Sequence, residues 1–172
     1  MAWSLSALKG RKNFASEIMV AGLVALFMVI GLAAFSYGQS KMLILRGVAA
    51  ENAPRGQLDD DAALAYARAH GYSGEVLDVG ADNGPQVKMA LDRIRNDRRV
   101  SALYGFSGGG FNAVAVWNQL TPDEKKRIRK IVVVGSPGIS KASFPGLADV
   151  TVKEDPPEGH MEGPRVLLEK GK

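Results

Sequence analysis

The chain contains no cysteine and only two histidines among its 172 residues. Without cysteine there is no disulfide, no thiol nucleophile and no thiolate-ligated metal. The two histidines, His70 and His160, are too few for a zinc site built from several imidazoles. We therefore expect neither a metal site nor thiol chemistry in this protein.

The chain also lacks a strong excess of charge of either sign. It carries 22 basic and 18 acidic residues, a formal net charge of +4. A nucleic-acid-binding protein usually concentrates basic side chains on one face. The densest basic run, residues 125–130, contains no aromatic side chain for a base to stack on and is typical of a solvated helix face. We therefore expect no nucleic-acid partner.

Charged residues are entirely absent from residues 18–40, an apolar stretch that follows a basic segment, residues 1–17. A helix crosses the hydrocarbon core with about 20 apolar residues, and the apolar region of a cleaved signal peptide has only about 7–15. The length favours a transmembrane helix or signal anchor, although small residues near Ala33 and Ala34 leave cleavage and secretion open. The basic segment favours a periplasmic or extracellular domain.

Residues 41–172 alternate strand-like and helix-like segments. Apolar runs predict five strands, at residues 41–45, 75–79, 100–106, 131–134 and 150–152. Helical periodicity, acidic starts and a capping box predict helices at about 59–70, from 85 onward, at 108–120, from 122 onward and near 164–169. This alternation predicts one domain, a three-layer α/β sandwich with a mostly parallel sheet of about five strands.

One motif in this pattern carries chemistry. Residues 105–109 read Gly-Phe-Ser-Gly-Gly, which matches Gly-x-Ser-x-Gly between a predicted strand and a predicted helix. In such a turn the serine sits on a sharp, strained backbone where larger neighbours would collide. The helix N-terminus directs its amides toward developing negative charge, so the amide of Gly108 is a candidate oxyanion donor for Ser107. A turn used only for close packing or for holding a phosphate is the other interpretation.

With this motif in its strand–turn–helix context, the sequence resembles the α/β-hydrolase superfamily, and in its compactness the lidless, cutinase-like members. The resemblance covers residues 41–172. In cutinase-like proteins a first strand ends in Arg-Gly and a small polar residue, whose loop supplies the second oxyanion donor. Here Arg46 and Gly47 match, but Val48 stands at the polar position. The resemblance then implies the backbone amide of Val48 or Ala49 as that donor.

The resemblance also implies a base and an acid, in the chain order serine, acid, histidine. Ser107, Asp155 and His160 follow that order. The base must lie beside the serine and be oriented by the acid. His160 follows the fifth predicted strand, whereas His70 ends a helix and is typical of an exposed helix-terminal residue. Other candidates for the acid are Glu154, Glu158 and Asp149.

Together, the motif and the resemblance imply a membrane-tethered serine hydrolase of the esterase or thioesterase type. Its substrate would be a small-molecule or lipid-like ester, and it would need no cofactor. A non-catalytic α/β-hydrolase-like binding module at the membrane is the alternative, motivated by Val48 and by the short separation of Asp155 and His160. A nucleotide or phosphate binder is a weaker one, because the turn lacks the Gly-Lys-Ser/Thr ending of a P-loop.

Overall fold

The computed structural model describes residues 38–47, 57–77 and 83–155, together with Met19 and Leu167. Its five strands are β1 Lys41–Leu45, β2 Ser73–Leu77, β3 Val100–Phe106, β4 Lys130–Val134 and β5 Asp149–Lys153. They form one parallel sheet in the order β2-β1-β3-β4-β5. The predicted parallel sheet of about five strands is therefore confirmed.

Helices connect these strands. They are α1 Gln57–Ala69, α2 Asn83–Asn96, α3 Gly108–Gln119 and α4 Pro122–Arg127, and a short 3₁₀ turn covers Lys141–Ser143. The predicted capping box begins α4: Thr121 Oγ1 accepts from the amide of Glu124, and the Glu124 carboxylate accepts from the amide of Thr121. Because α4 has only six residues, these two bonds and Pro122 define where it starts.

The helices cover both faces of the sheet. Side chains alternate along β1, so that Met42 and Ile44 pack with α1 on one face, whereas Leu43 and Leu45 pack with α2 and α3 on the other. All four are essentially inaccessible to solvent. This two-sided burial explains why β1 is apolar throughout, and it confirms the three layers.

The strand order places a topological switch point between β1 and β3, which are neighbours in the sheet. From β1 the chain passes through α1 to β2, and from β3 it passes through α3 to β4 on the opposite side. The two connections diverge at the carboxyl-terminal edge of the sheet. In open α/β sheets, ligands bind at this edge beside the switch point.

Several predictions fall outside the described residues. They concern the apolar stretch 18–40 apart from Met19 and residues 38–40, the oxyanion candidates Val48 and Ala49, and the candidate base His160. The chain divides into two compact units, Met1–Gly38 and Gln39–Lys172. Within the described part of the chain, no helix is both long enough and apolar enough to cross a membrane.

Candidate active site

Ser107 stands alone between the end of β3 and the start of α3. Its backbone adopts φ 53° and ψ −122°, and among the described residues it is the one non-glycine residue with a positive φ. Holding an L-residue in such a region costs about 1–3 kcal/mol. The Ser107 side chain does not cap α3, so the helix does not use its hydroxyl. The backbone thus has the sharp, strained turn that the Gly-x-Ser-x-Gly motif predicts.

The two motif glycines on either side of Ser107 lie where no side chain fits. A Cβ added to Gly105 would lie 2.5 Å from the carbonyl oxygen of Gly109. A Cβ added to Gly109 would overlap the carbonyl oxygen of Leu45, at the end of β1. Both obstacles are backbone atoms, which cannot rotate away. The glycines therefore allow the turn to pack directly against β1.

Hydrogen bonds anchor the strained peptide to β4 and the turn that follows it. The amide of Ser107 donates to the carbonyl of Val134 at 2.9 Å. The carbonyl of Ser107 accepts from the Ser136 hydroxyl at 2.6 Å and from the amide of Gly110 at 3.0 Å. Ser136 is only 6% exposed. These bonds offset part of the strain at Ser107.

The sequence Ser136-Pro137-Gly138 is typical of a simple turn, although a turn at this edge of the sheet could also line the site. Neither interpretation predicts the contact between Ser136 and Ser107. The available signal is positional, because Ser136 follows β4 directly and β4 is the sheet neighbour of β3. Polar residues at the carboxyl ends of adjacent parallel strands meet at one edge. Nothing in the local sequence says whether that hydroxyl faces the ligand or the backbone.

The loop that follows β1 passes directly beside Ser107. A Cβ added to Gly47 would lie 2.7 Å from the Cβ and 3.2 Å from the Oγ of Ser107. The side chain of Arg46 forms an ion pair with Asp60 of α1, with Nε donating to Oδ1 at 2.8 Å and Nη2 bonded to Oδ2. The matching Arg-Gly pair is therefore held against the nucleophile candidate.

Behind that loop lies a buried pair of side-chain amides. Gln86 of α2 and Asn112 of α3 are each 3% exposed, and their amide groups are 2.6 Å apart. The Gln86 amide also contacts the backbone of Arg46. Nothing in the motif or the resemblance points to either residue, since the contact joins three separate segments of the chain.

The candidates for the acid lie at opposite ends of β5. Asp155 and Glu154 follow β5 and are exposed, at the same sheet edge as Ser107. Asp149 begins β5 and hydrogen-bonds Lys130 Nζ at 3.0 Å. A five-residue strand of about 16 Å separates Asp149 from the edge that carries Ser107, which argues against Asp149 as the acid. Glu158 lies outside the described residues.

Strand spacing gives the separation between the ends of β5 and β3, which Asp155 and Ser107 follow in the chain. β5 is two strands away from β3, and neighbouring strands are about 4.8 Å apart, so about 10 Å separates the two strand axes. A spacing of this size is compatible with one imidazole between side chains that follow the two strands. His160, the candidate for that position, follows Asp155 in the chain and is not among the described residues.

His70 lies away from the site. It follows α1 and precedes β2, which places it at the amino-terminal edge of the sheet, opposite Ser107. Its Nδ1 donates to the carbonyl of Tyr66 at 2.9 Å, and its ring stacks on the Tyr66 ring with centroids 3.9 Å apart. These local contacts agree with the interpretation of His70 as a helix-terminal residue.

The shifted carboxyl groups also lie at the amino-terminal edge. A hydrogen bond from Arg99 holds the pKa of Asp97 well below its usual range. Burial raises the pKa of Glu75, but the hydrogen bond and charge of Lys41, together with Arg93, outweigh burial and lower it. Strongly shifted groups often mark functional sites. Here both pKa shifts arise from ion pairs that join β1, β2 and the residues before β3, so we assign these carboxyl groups to stability and not to the candidate site.

Known proteins show a similarity to this chain in structure but not in sequence. No protein-family model matches the chain, and no curated protein matches its sequence. Among solved structures, the chain is similar to a Trichoderma reesei cutinase in complex with a C11Y4 phosphonate inhibitor. The identity is 15% and the TM-score 0.46, over 89% of this chain and 78% of that one. A cutinase, which is an α/β-hydrolase, is therefore among the structural neighbours of the chain. The α/β fold itself follows from the parallel sheet and the helices between its strands.

Proposed function

We propose that this protein is a serine hydrolase of the esterase or thioesterase type and that Ser107 is its nucleophile. The observation that carries the proposal is the strained backbone of Ser107 at the turn between β3 and α3. Strain of this kind persists only where the surrounding structure enforces it, and it concentrates at functional sites. The serine is half-buried at the switch point between β1 and β3, and its hydroxyl does not cap α3.

In the proposed reaction, His160 removes the hydroxyl proton of Ser107 as Oγ attacks the carbonyl carbon of the ester. The tetrahedral intermediate collapses, and the alcohol or thiol leaves with the proton that His160 returns. Water, deprotonated by His160, then attacks the acyl-enzyme and releases the carboxylic acid and free Ser107. Asp155 would orient the imidazole throughout. This acyl transfer requires no cofactor.

The oxyanion would be held by two backbone amides. Gly108 is the first residue of α3, where the amides and the helix dipole both favour negative charge. The second amide would come from Val48 or Ala49, which follow Gly47 in the chain. Support comes from Gly47, whose backbone lies against Ser107. A backbone donor removes the need for a polar side chain at position 48.

A small or surface-presented ester is the substrate we propose. The connection between β4 and β5, residues 135–148, contains only the 3₁₀ turn Lys141–Ser143. It is too short to form a cap domain over the site. A site without such a cap favours short acyl groups or lipid-like esters presented at a surface over a long acyl chain that must be enclosed.

We further propose that residues 18–40 anchor the protein in a membrane as a single span, with the domain on the periplasmic or extracellular side. The support is the absence of charge over a length that matches the hydrocarbon core. β1 begins at Lys41, directly after the apolar stretch. Alkaline carbonate extraction of membranes containing the full-length protein tests the anchor. Retention in the membrane pellet is expected, and release would contradict it.

The experiment that tests the hydrolase proposal is labelling of the full-length protein with a fluorophosphonate probe, in which serine Oγ displaces fluoride from phosphorus. Ser107→Ala should abolish labelling. The two histidines provide a matched pair: His160→Ala should abolish labelling and His70→Ala should preserve it. Labelling of Ser107→Ala would refute Ser107 as the nucleophile. Failure of the folded wild-type protein to label would favour the non-catalytic binding module.

A further inference from the structure

We propose that Gln86 is a positioning residue, which holds the loop after β1 beside Ser107 and thereby fixes the second oxyanion donor. The proposal rests on the hydrolase function proposed above. It goes beyond that function because the contacts of Gln86 among the described residues are with Asn112 and Arg46, neither of which has a role in the proposed reaction. Its action passes through the backbone of Arg46.

The Gln86 amide replaces the hydrogen bonds that a strand would otherwise make. Arg46 lies just beyond the end of β1, where pairing with β2 and β3 stops at Leu45. With the Gln86 amide oriented to satisfy both backbone groups of Arg46, its oxygen accepts from the Arg46 amide at 3.1 Å and its nitrogen donates to the Arg46 carbonyl at 3.3 Å. One side chain therefore fixes the orientation of both peptide groups at Arg46.

Asn112 connects this contact to the nucleophile turn. Its side-chain amide lies 2.6 Å from that of Gln86. In the orientation that satisfies Arg46, the Gln86 nitrogen is on this side, and the amide oxygen of Asn112 must face it as the acceptor. Asn112 belongs to α3, the helix that begins with the first oxyanion donor, Gly108. The pair Gln86–Asn112 thus links the two segments that carry the proposed oxyanion donors.

The distances leave the loop little freedom at this point. Gly47 follows Arg46 directly, and its backbone packs so tightly against Ser107 that an added Cβ would lie 2.7 Å from the Ser107 Cβ. The next amide along the chain is that of Val48, a proposed oxyanion donor. A change in the orientation of the Arg46 peptide would therefore shift the amide of Val48, which is only two residues further along the chain. Misplacement of a reacting or stabilising group by about 1 Å can reduce a rate about 100-fold.

A buried amide at position 86 also has a structural alternative, namely that it only satisfies two buried backbone groups. The two roles predict different kinetics. A residue that matters only for folding lowers the amount of native enzyme and leaves the kinetics of the native fraction unchanged. A positioning residue lowers kcat with KM nearly constant, because the oxyanion forms only in the transition state.

The test uses full-length protein, a short-chain p-nitrophenyl ester and two substitutions of Gln86. Gln86→Met keeps the length of the side chain but removes both hydrogen-bonding groups. Gln86→Asn keeps the amide but shortens its reach, and it serves if the methionine variant does not fold. Gln119→Met is the matched control, because Gln119 is an exposed glutamine on α3. Amide hydrogen exchange of Arg46 provides a second readout that does not depend on activity.

We expect Gln86→Met and Gln86→Asn to lower kcat at least about 10-fold with KM within about twofold of wild type. Both should accelerate exchange of the Arg46 amide, and Gln119→Met should change neither. A folded Gln86 variant with wild-type kcat would overturn the role of Gln86 while leaving the hydrolase proposal intact. A folded wild-type enzyme without activity toward esters or fluorophosphonate would overturn both, whatever the exchange rate of Arg46.

Discussion

The strained backbone at Ser107 predicts an unusual order of stability for two substitutions that both remove its hydroxyl. Only glycine adopts φ 53° and ψ −122° without a steric penalty, so Ser107→Gly and Ser107→Ala should differ. The strained alanine costs about 1–3 kcal/mol, and glycine costs about 0.5–1 kcal/mol through the entropy of the unfolded chain. We expect Ser107→Gly to be more stable by about 1 kcal/mol, or about 3 °C in Tm for a chain of this size.

Ser101 is the matched control for this comparison. It lies on β3, the strand that ends just before Ser107, is 7% exposed and has no positive φ. There the order should reverse, with Ser101→Ala more stable than Ser101→Gly by about 0.5–1 kcal/mol. Thermal unfolding and urea titration of full-length protein in mild detergent, followed by circular dichroism, measure both pairs. If Ser107→Ala were as stable as Ser107→Gly, or more stable, the strained turn would be refuted.

Three further predictions concern packing, the bracing of the turn and pH. Gly109→Ala should destabilise the protein by about 3 kcal/mol or more, because the new methyl overlaps the carbonyl oxygen of Leu45; a fall in Tm under about 3 °C would contradict this packing. Ser136→Ala removes the hydroxyl that donates to the Ser107 carbonyl, so it should lower the free energy of unfolding by about 1 kcal/mol and slow fluorophosphonate labelling. An unchanged labelling rate would contradict the inference that Ser136 holds the Ser107 turn in place. Asp97→Asn should reduce the loss in free energy of unfolding that occurs as the pH falls from about 7 into the acid range. The Asp97 pKa is lowered by folding, so its contribution is present above about pH 4 and is lost as the pH falls through the folded value. Urea midpoints at about pH 7, 5 and 3 measure that slope, and an equally steep loss in the variant would contradict the assignment.

The sheet was largely predictable because its signals are local. β1 and β4 are buried on both faces, and apart from their first lysines they are continuous apolar runs. β2 differs: the prediction covered residues 75–79, whereas the strand is Ser73–Leu77. Pairing with β1 sets its start, because Lys41 lies opposite Ser73. Such a register depends on a distant segment, so the local sequence does not contain it.

At the candidate site, too, features set by the local sequence could be predicted and contacts between distant segments could not. The turn at Ser107 could be predicted, because the glycines that permit it lie within four residues of one another in the chain. The contacts of Ser136 and Gln86 could not, because each joins the turn or the loop after β1 to a distant element. A serine in a turn and a glutamine in a helix carry no local sign of the backbone groups that they will satisfy.

The most direct test of the central claim is peptide mass mapping of wild-type protein after reaction with a fluorophosphonate. The proposed hydrolase acquires one phosphonyl group, carried by the peptide that contains Ser107, because only an assembled base and oxyanion site activate a serine toward this probe. Absence of the adduct from folded protein, or its presence on another serine, would contradict the account of Ser107 as the nucleophile.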